Sequence, residues 1–130
     1  MATQADYYEV YDLEFVTGDY YYRRILFEDP DPESPDPENP VMVPRDWTGW
    51  TARAQIRANT KRETEVTAVI DITLGEDSPQ DGFVILELQE EESAKCLKAG
   101  GWDLEITNPS GKPETVMGGK VLPFGDYTHD

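Results

Sequence analysis

The sequence predicts an all-β protein, an antiparallel β-sandwich of about seven strands with one short helix. Two observations predict this fold. Apolar and polar residues alternate with a period of two in most segments, as they do in strands that bury one face. Residues that favour turns separate these segments. The chain has 130 residues, which suits one domain, so we expect a single β-sandwich domain over residues 1–130.

The alternation is clearest in four segments, at residues 50–57, 66–74, 83–88 and 102–107. Alternate positions in these segments are apolar, although residues 83–88 form a nearly continuous apolar run, and all four predict strands of the half-buried type. In the third segment, Val84, Leu86 and Leu88 are expected to face the core.

Three weaker segments complete the predicted strands, at residues 10–16, 20–28 and 115–124. The first alternates Tyr11, Leu13 and Phe15 toward the core. The last contains Gly118 and Gly119, which predict a β-bulge or a close approach of another backbone.

Residues 90–99 are predicted to form the one helix. Three glutamates begin this segment, where the helix dipole favours negative charge, and two lysines lie near its end. Gly100 and Gly101 are then expected to end the helix.

Residues 29–44 differ in kind, because they hold six prolines with acidic residues between them. Proline lacks a backbone donor and favours extended geometry, so we expect an acidic, proline-rich loop that is stiff and solvated. Such a loop suits either contact with a neighbouring subunit or a tolerated surface insertion.

The chain is strongly acidic, with 27 Asp and Glu residues against 11 Lys and Arg, a formal net charge of −16. A surface this negative repels phosphates, so we expect no nucleic-acid partner. No apolar run is long enough to span a bilayer, so we expect no membrane partner. Positive charge concentrates at residues 45–62, with five bases and one acid. This stretch is either a solvated strand face or one that meets an acidic surface of the protein or a partner.

The sequence offers no residue set typical of catalysis. The single histidine, His129, is one residue from the end of the chain, where termini usually fray. The single cysteine, Cys96, follows three glutamates that would raise its pKa, and we interpret it as a packing residue. No phosphate-binding glycine loop is present, and the alternating acids near residue 31 lack the glycine of a calcium loop. We expect a non-enzyme with no cofactor and no metal.

The tyrosines crowded near the N-terminus form either a docking surface, because tyrosine combines a large apolar area with a polar tip, or a lining of both sheet faces at their edges. Trp47 flanks a turn and is expected to be exposed at a rim. The candidate partner-binding residues are Tyr7, Tyr8, Tyr20, Tyr22, Trp47, Arg53 and Arg57.

Three motifs occur in a suggestive order: Phe-Val-Thr-Gly-Asp at residues 15–19, Asp-Trp-Thr-Gly-Trp-Thr-Ala-Arg-Ala-Gln-Ile-Arg at 46–57, and Gly-Trp-Asp-Leu-Glu-Ile-Thr at 101–107, which leads to Gly-Gly-Lys-Val at 118–121. This order resembles a family of small tailed-phage and prophage virion proteins. It is similar to the N-terminal domain of phage baseplate proteins, of the upper baseplate type, that join receptor-binding parts to the tail.

The resemblance spans residues 10–122 and implies an immunoglobulin-like sandwich whose job is attachment, with no catalytic residues. The proline-rich loop at residues 29–44 departs from the short hairpin usual in that family. The chain also stops soon after its last strand, which favours an adaptor over a receptor-binding protein.

We therefore expect a virion structural protein, made in the host bacterial cytoplasm, that mediates assembly at the tail, baseplate or neck by protein–protein contacts. Its partners would be other phage structural proteins, and it would be a homo-oligomer or present in multiple copies. One alternative is a capsid cement or decoration protein. Another is a carbohydrate-binding module that uses Trp47 and the tyrosines as stacking platforms.

Overall fold

The computed structural model describes residues 9–58 and 65–125. Strands dominate this part of the chain. They are β1 (Glu9–Val10), β2 (Leu13–Val16), β3 (Tyr21–Leu26), β4 (Glu28–Pro30), β5 (Met42–Pro44), β6 (Thr51–Arg57), β7 (Val66–Leu74), β8 (Phe83–Leu88), β9 (Gly100–Thr107) and β10 (Pro113–Phe124). A 3-10 turn (Pro79–Asp81) precedes β8, and the helix α1 (Glu90–Ser93) follows it.

The strands form an immunoglobulin-like sandwich, as predicted, in the order β1-β10-β9-β6-β7-β8-β3, with β2 also on β10. Strand β7 belongs to both layers, because its residues 66–70 pair with β6 and its residues 71–74 pair with β8. One layer therefore contains β1, β2, β10, β9 and β6, and the other contains β8 and β3. The main ladders are antiparallel, but β1 and β2 pair with β10 in parallel.

A single apolar core lies between the layers, and the period-two prediction for the four clearest strands is confirmed. Val84, Leu86 and Leu88 of β8 are fully buried. The core residues are Leu13, Phe15, Tyr21, Trp47, Ala54, Ile56, Ala68, Ile70, Val84, Leu86, Leu88, Cys96, Trp102, Leu104, Ile106, Val116, Met117 and Val121.

The first predicted strand, residues 10–16, is interrupted at Tyr11 and Asp12. The indole nitrogen of Trp102 donates to the Tyr11 carbonyl at 2.7 Å, which takes that carbonyl out of the ladder. The same carbonyl lies against Gly119, where an added Cβ would come within 2.6 Å of the oxygen. The close backbone approach predicted at the glycine pair is therefore confirmed for Gly119. The irregularity in β10 lies instead at Val116, beside which the register shifts.

The helix predicted over residues 90–99 is shorter than expected, since α1 ends at Ser93. The Ser93 hydroxyl is buried and accepts a hydrogen bond from the Gly18 amide at 2.9 Å. The Thr17 hydroxyl donates to the Cys96 carbonyl at 2.9 Å. These contacts fix the residues after Ser93 against the turn that follows β2, so the helix does not continue.

The prediction that residues 29–44 form a loop throughout was wrong at both ends. Strands β4 and β5 pair with each other there and close the segment into a hairpin. Between them, the side chains of Asp31 and Asp36 each accept the amide of the residue two positions on, at 3.0 Å. The Ser34 hydroxyl accepts the Val41 amide at 2.9 Å. The hairpin tip is thus organised by short turns of the kind that Asp and Ser favour.

Candidate interaction surface

Strands β3 and β4 form one extended run, because Phe27 alone separates them. Burial alternates along this run except at Arg23, which is exposed. The odd-numbered residues are buried or half-buried, except Arg23, and the even-numbered ones are exposed. Residues 21–30, which we call the β3–β4 run, therefore behave as a single long strand with one solvent-facing side. The residues on that side are Tyr22, Arg24, Leu26, Glu28 and Pro30.

One edge of the β3–β4 run is fully paired, by β8 and then by β5. The Phe27 amide donates to the Gly82 carbonyl at 2.9 Å, and the Phe27 carbonyl accepts the Arg45 amide at 2.9 Å. The Asp31 amide donates to the Val41 carbonyl on the same edge at 2.8 Å. Odd-numbered residues thus direct their backbone groups to the paired edge.

The opposite edge is open. Neighbouring residues of a strand point their backbone groups to opposite edges, so the even-numbered residues direct theirs away from β8 and β5. Within residues 9–58 and 65–125, no strand pairs with that edge. We call it the open edge. Pro30 has the same parity, and its missing N–H costs no ladder bond there.

On the exposed face beside the open edge, apolar side chains alternate with the charged side chains of Arg24 and Glu28. Tyr20 is 47% exposed, Tyr22 43% and Leu26 45%. Met42, which is 46% exposed, pairs with Pro30 at the far end. These side chains follow the β3–β4 run from one end to the other, and a run of exposed apolar residues of this kind is typical of a protein interface.

Polar contacts hold parts of this face in place. The Tyr20 hydroxyl donates to the Glu87 carboxylate at 2.5 Å, and this hydrogen bond raises the pKa of Tyr20 to about 12. The Arg24 guanidinium lies 4.2 Å from the centre of the Phe83 ring and 3.2 Å from the Glu76 carboxylate. These contacts hold the Tyr20 and Arg24 side chains of this face in place.

The predicted partner-binding residues do not lie together. Tyr7 and Tyr8 lie outside the described residues, and Tyr20 and Tyr22 flank the open edge. Arg53 and Arg57 belong to β6, in the other layer of the sandwich.

The basic stretch of β6 meets the protein's own acidic surface. Arg53 opposes Glu105 across the β6–β9 ladder, and their side chains are 3.2 Å apart. Arg57 donates to the Gln55 side chain at 2.7 Å. Of the two interpretations that the sequence allowed, the structure favours the acidic neighbour over a merely solvated face.

Trp47 is buried, so the prediction that it is exposed at a rim was wrong. Its side chain is 2% exposed and packs edge-on against Phe27, at 5.3 Å, and Trp50, at 5.5 Å. Asp46 accepts the Thr48 amide at 2.9 Å and fixes the turn that points Trp47 inward. Alternation within the following strand carries no information about a residue in the turn before it.

Arg45 is a central residue that the sequence analysis missed. Its guanidinium lies 5.3 to 5.7 Å from the ring centres of Phe27, Trp47 and Trp50. It also donates to both carboxylate oxygens of Asp29, with a shortest distance of 2.7 Å. Asp29 and Arg45 bracket the proline-rich segment, so this ion pair ties the β4–β5 hairpin to the aromatic cluster. The opposite charges of Asp29 and Arg45, at the two ends of that segment, were the sequence signal from which this ion pair could have been predicted.

Cys96 is buried, and burial raises its thiol pKa, as does the neighbouring charge of Glu92. In the described part of the chain, no cluster of three or more His, Cys, Asp or Glu is arranged to hold a metal ion. Among the same residues, no helix has the length and apolar character needed to cross a membrane.

Neither a protein-family model nor a curated protein matches this chain.

Proposed function

We propose that this protein is a non-enzymatic structural component of a phage virion that mediates assembly at the tail, baseplate or neck by protein–protein contacts. The observation that carries the proposal is the open edge of the β3–β4 run with its row of exposed apolar side chains. An unpaired strand edge offers backbone donors and acceptors in a fixed row, and an incoming strand satisfies them all at once.

Two further features support assembly as the role. The net charge of −16 favours the solubility of free subunits before assembly. The face beside the open edge combines tyrosine, leucine and methionine, residue types that favour interfaces. The virion setting is supported by the resemblance of the motif order to small tailed-phage proteins.

The proposal is tested by purifying particles from an infected or induced host and separating tails from heads on a density gradient. We expect the chain to stay with the tail fraction after a high-salt wash, in constant ratio to the major tail protein, by quantitative mass spectrometry. An abundant host cytoplasmic protein measures carry-over in the same gradient. Absence of the chain from both fractions would overturn the proposal, and enrichment with heads would favour the capsid cement or decoration role.

The carbohydrate-binding alternative loses its main support, because a sugar cannot stack on a tryptophan side chain that is 2% exposed. Tyr20 and Tyr22 remain exposed, but Tyr20 is engaged with Glu87.

A further inference from the structure

We propose that the open edge of the β3–β4 run binds a second copy of this chain, strand to strand and antiparallel, with Leu26 of one copy opposite Leu26 of the other. The inference names a partner for the surface that the proposed function rests on. It does not depend on the virion setting, because it concerns the purified chain alone.

Backbone geometry limits the registers that such a pair can adopt. Alternate residues, namely Tyr22, Arg24, Leu26 and Glu28, direct N–H and C=O groups to the open edge. A symmetric antiparallel pair joins these groups only if its two-fold axis passes through a residue of each strand, not between two residues. Within the run from Arg24 to Glu28, five positions of the axis are therefore available.

Charge selects one of these positions. An axis through Arg24 or Glu28 places like charges directly opposite each other, which destabilises a strand pair. An axis at residue 25 or 27 places Arg24 opposite an uncharged residue.

An axis through Leu26 places Arg24 opposite Glu28 of the second copy, and it does so twice by symmetry. The same register sets Arg23 opposite Asp29 of the second copy. Arg23 and Arg24 are the two basic residues of the segment 1–44, and in this register both face carboxylates. Opposite charges at directly opposed positions favour a strand pair.

The remaining positions of this register are also compatible. Leu26, which is 45% exposed, covers Leu26 of the second copy, and Tyr22, which is 43% exposed, lies opposite Pro30. Pro30 lacks an N–H, but its carbonyl can still accept the Tyr22 amide of the second copy. The Leu26 pair lies at the centre, the Arg24–Glu28 pairs flank it, and the Tyr22–Pro30 pairs lie outermost.

The ion pair that the Arg24 side chain would exchange in forming this register is weak. Arg24 is bound to Glu76 at 3.2 Å with its side chain 46% exposed, and exposed ion pairs of this kind contribute little. The repulsion between two acidic copies is long-ranged, and at 0.15 M salt it is screened beyond about 8 Å. Short-range pairing at the open edge can therefore prevail at physiological salt.

Cysteine crosslinking tests the register directly. In a Cys96→Ala background, Leu26→Cys places two thiols on opposed residues whose Cα atoms lie about 5.5 Å apart, within disulfide range. Tyr22→Cys is the matched control, because it is equally exposed but lies about 26 Å from its symmetry mate in this register. Under mild oxidation we expect covalent dimers from Leu26→Cys and not from Tyr22→Cys. Equal crosslinking of the two variants, or none from Leu26→Cys, would overturn the register.

Charge reversal tests the ion pairs in the full chain by sedimentation equilibrium at 0.15 M salt. Arg24→Glu and Glu28→Arg should each raise the dimer dissociation constant about tenfold or more, and the double variant should restore it. Arg53→Glu, on β6 of the other layer, should leave it unchanged. A wild-type chain that stays monomeric at about 1 mM, or a double variant no better than the singles, would overturn the proposal. The proposed function would still be tested separately by the particle fractionation, because that experiment does not depend on dimer formation by the purified chain.

Discussion

Trp47 joins the proline-rich hairpin to the sandwich. It stands among the largest buried side chains, and it contacts Phe27, Trp50 and the guanidinium of Arg45. Its indole nitrogen is the buried side-chain donor without an acceptor in the described residues. Burial of the large aromatic side chain stabilises the folded state, while the unpaired N–H costs about 1–3 kcal/mol. The apolar contacts of Trp47 must therefore outweigh the cost of its unpaired N–H.

Replacing Trp47 tests this account. Trp47→Ala should lower the free energy of unfolding by about 3–5 kcal/mol, because it leaves a cavity in the core. Trp47→Phe should cost less than half as much, since it keeps a ring and removes the unpaired donor. Urea unfolding followed by circular dichroism measures both. Tyr22→Ala, at an exposed position of a strand, is the control and should change stability by about 0.5 kcal/mol or less. A Trp47→Ala protein as stable as wild type would contradict the buried position.

The connection between β7 and β8 is organised by one carboxylate. Asp81 accepts the amides of Glu76, Asp77 and Phe83 at 2.8 to 3.1 Å. Partial burial acts to raise the pKa of Asp81, but these backbone hydrogen bonds outweigh it and lower the pKa to about 2. Gly82, with φ of 78°, then turns the chain into β8 in a backbone conformation that glycine readily adopts.

This loop makes stability depend on pH in a defined window. The folded pKa of Asp81 lies below its ordinary value of 3.8, so its contribution is complete well above that value and is lost as pH falls toward about 2. The melting temperature of Asp81→Asn should therefore lie below that of wild type at pH 6, and the gap should close by about pH 2. Glu33→Gln, on the exposed tip of the β4–β5 hairpin, is the control. A gap that persists unchanged at pH 2 would contradict the role of this carboxylate.

Local sequence predicts β6, β7 and β9 well, because each buries one face and a period of two records that directly. Strand β8 also buries Ile85 on its other face, in agreement with its nearly continuous apolar sequence. Local sequence does not predict where a helix or strand ends when contacts with residues far along the chain determine that end. The helix α1 stops because Ser93 and Cys96 bind the turn after β2, more than 70 positions earlier. The parallel pairing of β1 and β2 with β10 also depends on partners far along the chain.

The candidate surface was predictable only in part. The exposed tyrosines Tyr20 and Tyr22 follow from the crowding of aromatic residues in one segment. The open edge does not follow from the sequence, because the local period shows which residues are buried but not which strand lies at the edge of a sheet. Arg53 and Arg57 were predicted as partner-binding residues together with the tyrosines, but nothing in the local sequence shows that β6 lies in the other layer.

The whole molecule has two different outer faces. The layer of β6 and β9 presents paired opposite charges such as Arg53 and Glu105, which suit a solvated surface. The layer of β8 and β3 presents the apolar row beside the open edge. A strongly acidic protein with such a face beside an open strand edge has the properties expected of an assembly component.

The most direct test of this account is a cryo-EM map of the purified phage particle at a resolution that traces strands. We predict that this chain is present and that its residues 21–30 form a continuous ladder with a strand of another chain, through the backbone groups of Tyr22, Arg24, Leu26 and Glu28. A map in which the chain is present but this edge faces solvent would contradict the account.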